Sequence, residues 1–87
     1  MDDFNQNIRI YGTNWCSDCT RSKAFLDNHG IEYSWFNIEL DPELQKYVRK
    51  INNGKQIVPT IIFNDNSVLV EPSNQQLAAK LNIPINN

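Results

Sequence analysis

Cys16 and Cys19 are the only cysteines in the chain, and Ser17 and Asp18 separate them. A Cys-x-x-Cys pair near the start of a small chain serves either as half of a zinc site or as a redox dithiol. A structural zinc site takes four thiolate or imidazole ligands, and this chain offers two cysteines and one histidine. His29 follows Cys16 by 13 positions in what reads as one helix. At ~1.5 Å of rise per residue the two lie about 20 Å apart, too far for one metal. A metal would need a second chain or an outside thiol, so no metal site is assigned. A pair that merely packs is the plain alternative to redox chemistry.

The elements around the pair suit an exchange reaction. Ile8–Tyr11 reads as a strand and Gly12–Trp15 as a loop. A helix runs from Ser17 to about His29 and stops at Gly30. Cys16 then stands at a helix N-terminus, where unpaired N–H groups and the macrodipole favour a thiolate, the attacking species. Cys19 lies one turn later on the same face. From there it can attack a mixed disulfide at Cys16 and release the reduced substrate. Asp18, a carboxylate between the two, opposes the thiolate by like-charge repulsion. Pro59 interrupts Ile57–Phe63, which otherwise reads as a buried strand. Proline fits there only at the strand's first residue or at a bulge, and a cis Val58–Pro59 bond suits such a position.

The other elements follow from punctuation. Glu32–Ile38 is a second strand, rich in Tyr33, Trp35 and Phe36. Asp41 is a candidate N-cap with Pro42 at the first helical position, and Asn53-Gly54 closes that helix. Leu44, Tyr47, Val48 and Ile51 form its apolar face. Asn64-Asp65-Asn66 turns Ile57–Phe63 back into Val68–Val70. Ser73 and Gln76 have capping-box spacing at the head of a last helix, which buries Leu77, Ala78 and Leu81 before Pro84. An opening βαβ unit implies a parallel pair with a right-handed crossover, and the closing ββα adds antiparallel strands. The expectation is one α/β domain over residues 1–87, a four-stranded mixed sheet with helices on both faces.

Bulk composition excludes several classes. The 87 residues carry a net charge of -2 without a basic run, which argues against nucleic acid. No apolar stretch nears the ~20 residues that cross a bilayer. Met1–Asn7 is acidic and polar, unlike a secretory signal. The expected compartment is the cytosol, where such a pair is catalytic or metal-binding more often than a staple.

Taken together, Tyr11 through Cys19, the basic Arg21 and Lys23, and Val58-Pro59-Thr60 resemble the glutaredoxin branch of the thioredoxin superfamily. The resemblance spans Ile8 to Leu81. It implies a thioredoxin-like fold, topology βαβαββα, with sheet order 2-1-3-4 and the first and third helices on one face. It implies a thiol–disulfide oxidoreductase with Cys16 as nucleophile and Cys19 as resolving thiol. Pro59 would face the dithiol, and the Val58 backbone would pair with an extended substrate. Trp15, Ser17, Asp18, Gln56, Val58, Pro59, Glu71, Pro72 and Ser73 are the expected substrate contacts. Two departures stand out. Ser17-Asp18 replaces the Pro-Tyr of common glutaredoxins, and Glu71-Pro72 stands where a Gly-Gly pair helps to hold glutathione. Trp15 before the first cysteine and Pro72-Ser73 before the last helix look more like mycoredoxin-type bacterial glutaredoxins. The Gly-Phe-Arg-Pro ending of redoxins dedicated to ribonucleotide reductase is absent from the sequence. The expected partners are disulfide-bearing proteins and an external electron donor: glutathione, mycothiol, another low-molecular-weight thiol, or thioredoxin reductase. The expected state is a monomer with no bound cofactor. Two other classes remain open: a carrier in which two chains share an iron–sulfur cluster through Cys16, and a non-catalytic adaptor.

Overall fold

A computed structural model describes residues 7–84. The acidic segment read against a signal peptide lies, but for Asn7, outside them. The elements run β1 (Arg9–Gly12), α1 (Ser17–Asn28), β2 (Ser34–Asn37), α2 (Pro42–Ile51), β3 (Thr60–Ile62), β4 (Val68–Val70) and α3 (Asn74–Leu81). The sheet order is β2-β1-β3-β4, the expected 2-1-3-4. β1 pairs β2 in parallel and β3 antiparallel, and β3 pairs β4 antiparallel.

The boundary signals work through their expected chemistry. The Asp41 carboxylate accepts from the Leu44 N–H at 3.2 Å, with Pro42 next to it where a missing N–H costs nothing. The Ser73 hydroxyl accepts from the Gln76 N–H at 3.1 Å, and the Gln76 side chain accepts from the Ser73 N–H at 2.8 Å. Gly30, at φ 69, ends α1 in the left-handed region. Strands two and three are shorter than their apolar runs. Tyr33 and Ile31 pack on the core without joining the ladder. The run Ile57–Pro59 precedes β3 as a turn, in which the Thr60 hydroxyl donates to the Ile57 carbonyl at 2.7 Å. Proline cannot donate to a ladder, so pairing starts only after it.

Alternation along β1 and β3 sends side chains to two cores. Ile8, Ile10, Ile61 and Phe63 meet Phe25 and Leu26 of α1 and Leu77 and Ala78 of α3. Tyr11 and Ile62 meet Ile38 and Val48 of α2 on the other face. Helices one and three therefore share a face, as expected. On helix two, Val48 is buried, while Leu44 and Ile51 pack at its margin. Tyr47 lies more exposed and leans on the Tyr11 ring, 5.4 Å between centroids.

Candidate active site

The parallel pair brings the chemistry to the C-terminal end of β1. The Ile38 N–H donates to the Gly12 carbonyl at 2.9 Å, holding the end of β2 beside the loop that leads to Cys16. Cys16 is itself the N-cap of α1, with extended backbone at φ -88 and ψ 115. Its sulfur accepts from the Cys19 N–H at 3.1 Å. The nucleophile candidate thus does the work that a serine or aspartate oxygen does at most helix starts. Cys16 is partly exposed, whereas Cys19 is 0% exposed.

Burial pushes the Cys19 thiol up to about 12. Its hydrogen bond to Cys16 and the nearness of that sulfur add to the rise, while a backbone bond from Thr13 and the Lys23 charge act against it. The two cysteines therefore have different characters although both are free thiols. One stands at the surface with N–H support, and the other is held protonated within.

Gly12 makes room for the second sulfur. A Cβ at Gly12 would overlap the Cys19 sulfur and lie 3.0 and 3.1 Å from two carbons of the Trp35 ring. The Lys23 ammonium sits 3.7 Å over that ring. Lys23, one of the two basic residues after the motif, therefore stacks on β2. Neither Gly12 nor Trp35 was an expected site residue. The signal was available for Gly12: a glycine closing a strand three residues before Trp15-Cys16 marks a close approach.

Trp15, next to Cys16 in the chain, is 70% exposed. Ser17 is exposed, and the Asp18 carboxylate accepts from Arg21 at 3.2 Å. The Val58–Pro59 bond is cis, and Pro59 is buried. The Pro59 carbonyl accepts from the Glu71 N–H at 2.9 Å, which brings the two expected contact segments together. Asn52, unremarked in the sequence, braces the turn before β3. Its amide donates to the Thr60 hydroxyl at 3.1 Å and to the Val48 carbonyl at 3.0 Å. Gln56 is exposed, and its side-chain carbonyl accepts from Arg49 at 2.8 Å. Glu71 is exposed and left-handed at φ 48, where the resemblance expects glycine. Pro72 is buried and Ser73 caps α3. His29 is the C-cap of α1, at the far end of the helix, with its ring 4.5 Å from that of Phe25. Among the described residues, no three His, Cys, Asp or Glu side chains gather as a metal-binding group.

A profile of the glutaredoxin family matches residues 8–68. The chain belongs to the glutaredoxin family. It is 38% identical over 74 residues to a protein of Mycobacterium tuberculosis named as a glutaredoxin, covering 85% of this chain and 88% of that one. It is 33% identical over 75 residues to mycoredoxin 1 of Corynebacterium glutamicum, covering 86% and 92%. The NrdH-redoxin structure from Escherichia coli superposes with a TM-score of 0.72 at 23% identity, over 84% of this chain and 92% of that one. A glutaredoxin structure from Archaeoglobus fulgidus gives 0.71 at 19% identity, over 93% and 95%. The two structures share the thioredoxin-like fold seen here. Family membership makes this glutaredoxin a thiol–disulfide oxidoreductase.

Proposed function

We propose that Cys16 is the nucleophile and Cys19 the resolving thiol in the reduction of disulfides of proteins or low-molecular-weight thiols. The asymmetry between the two sulfurs carries the reading. Cys16 is accessible and accepts a backbone N–H, while Cys19 is enclosed and protonated at neutral pH. The Cys16 thiolate attacks one sulfur of the substrate disulfide. A Cys16–substrate disulfide forms, and the other substrate thiolate leaves. Cys19 then loses its proton to solvent and attacks the Cys16 sulfur. That step forms the Cys16–Cys19 disulfide and releases the second substrate thiolate. The two electrons gained by the substrate come from the dithiol. An external thiol donor such as glutathione or mycothiol, or thioredoxin reductase, restores it, so no bound cofactor is needed.

Substrate contacts are assigned to Trp15, Ser17 and Asp18 beside the nucleophile, to Gln56, Val58 and Pro59, and to Glu71, Pro72 and Ser73. The backbone of Val58 is engaged by no other backbone group among the described residues, so it is free to pair with an extended peptide. The chain acts as one domain, a monomer, in the cytosol. Among the described residues, no helix is long and apolar enough to cross a membrane.

Two variants test the roles. Cys19→Ser should accumulate a mixed disulfide with a small peptide disulfide, and Cys16→Ser should form none. An adduct on Cys19 in the Cys16→Ser protein would reverse the assignment. Exchanging glutathione, mycothiol and thioredoxin reductase in one reduction assay identifies the donor.

A further inference from the structure

Arg21 lies one turn beyond Asp18 on α1, and its guanidinium joins three segments. One nitrogen, Nη2, donates to the Asp18 carboxylate at 3.2 Å and to the Pro72 carbonyl at 2.8 Å. The other, Nη1, donates to the Asn74 side-chain oxygen at 2.8 Å. Asp18 stands in the first turn of the dithiol helix, Pro72 in the loop after β4, and Asn74 in the first turn of α3. A planar fork can serve acceptors in several directions at once, which a lysine ammonium on its flexible stem does less well. An exposed ion pair alone contributes little, because two long side chains must be held in place for it. Here the bonds to Pro72 and Asn74 already hold the guanidinium, so its charge stays beside Asp18. Without it, a lone carboxylate would stand two residues from the sulfur that caps the helix.

We propose that Arg21 is a positioning residue for the dithiol: it cancels the Asp18 charge beside Cys16 and fastens the Pro72 loop to the dithiol helix. This rests on Cys16 being the nucleophile. It also changes the role of Asp18 in the native chain. The repulsion anticipated from its sequence position is largely offset by a partner three residues away. The same guanidinium couples the reactive end of α1 to the segment that carries Glu71.

The test is a cycle of variants read by the rate of Cys16 alkylation with iodoacetamide, on the rising limb of its pH dependence. Arg21→Ala should slow the reaction about threefold, as expected for one uncompensated charge within a helical turn of the sulfur in a near-aqueous dielectric. Asp18→Asn should restore the rate in that background yet change it less than about twofold alone, since the native charge is already paired. Arg21→Lys should slow the reaction less than Arg21→Ala does, because the charge remains without the bonds that hold it beside Asp18. It should nevertheless speed hydrogen exchange at the Glu71 and Ser73 amides, because the fork is lost. An unchanged rate in Arg21→Ala, or an equal effect of Asp18→Asn in both backgrounds, would overturn the proposal and leave the nucleophile assignment standing. If Cys16 in the unmodified protein fails to react before Cys19, both fall. Should Arg21→Ala fail to fold, Arg21→Gln removes the charge while keeping an amide donor, and the same cycle applies.

Discussion

Replacing Gly12 with alanine should disturb Cys19 while sparing Cys16. The added Cβ would overlap the Cys19 sulfur and sit 3.0 and 3.1 Å from the Trp35 ring. Carbon atoms rest comfortably at about 3.5–4.0 Å, so the ring must retreat by roughly half an ångström and the sulfur further. Neither has easy room. Cys19 is fully enclosed, and the Lys23 ammonium lies 3.7 Å over the Trp35 ring. Overpacking of this kind costs about 1–3 kcal/mol, and the upper part of that range is expected here. Urea denaturation of the reduced protein measures the loss. Repeating it in a Cys19→Ala background removes the sulfur but keeps Trp35. The Gly12→Ala penalty should then shrink by about 1 kcal/mol or more, as coupled neighbours do. Alkylation of Cys16 should continue near its normal rate, and conversion of a Cys16 mixed disulfide to the internal disulfide should slow. An equal penalty with and without the Cys19 sulfur would refute the reasoning.

Two further outcomes follow from the same geometry. The Cys19 thiol is pushed up to about 12 from an ordinary value of 9.0, so the unfolded chain loses this proton first as pH rises. The reduced protein should therefore lose stability between about pH 9 and 12, and Cys19→Ser should flatten that limb in denaturation midpoints taken across the range. Glu71 holds φ 48 with a full side chain; relief of that strain by glycine is worth about 1–2 kcal/mol, partly offset by about 0.4–1 kcal/mol of added unfolded-chain entropy. Glu71→Gly should come out neutral to modestly stabilising by thermal unfolding. It should also raise turnover with glutathione by removing a negative charge, and unchanged turnover would show that Glu71 points clear of the ligand.

The fold was legible because its punctuation is chemical. Asp41-Pro42, Ser73 with Gln76, and Gly30 each specify a local hydrogen bond or a backbone region. Each appears in the structure doing that job. Strand lengths were less legible. Apolar content marks burial, and Ile31, Tyr33 and Val58 are partly buried beside the cores without pairing in the sheet. Only the ladder separates a paired residue from one that packs beside it, and the ladder depends on partners far along the chain. Long-range partners likewise hid the roles of basic residues. Arg21 and Lys23 stand in the sequence only as basic residues after the motif, yet Arg21 reaches Pro72 and Asn74, and Lys23 reaches Trp35.

The pair itself shows how little spacing must encode. In a helix start, the N-cap side chain and the residue three positions on are brought together by the first turn, so Cys16 meets the Cys19 N–H without further help. What spacing leaves open is which sulfur faces water, and the β1 end settles that through Gly12, whose missing side chain lets Cys19 sink against the strand. Burial is the first cause of its raised value, and the bond to the Cys16 sulfur is the second. The second cause weakens when Cys16 is joined in a disulfide, because a disulfide sulfur is a poorer hydrogen-bond partner for the Cys19 thiol. The proton on Cys19 is then held less firmly, as the proposed second step requires. The difference between a surface thiol and a buried one thus follows from one glycine and one helical turn.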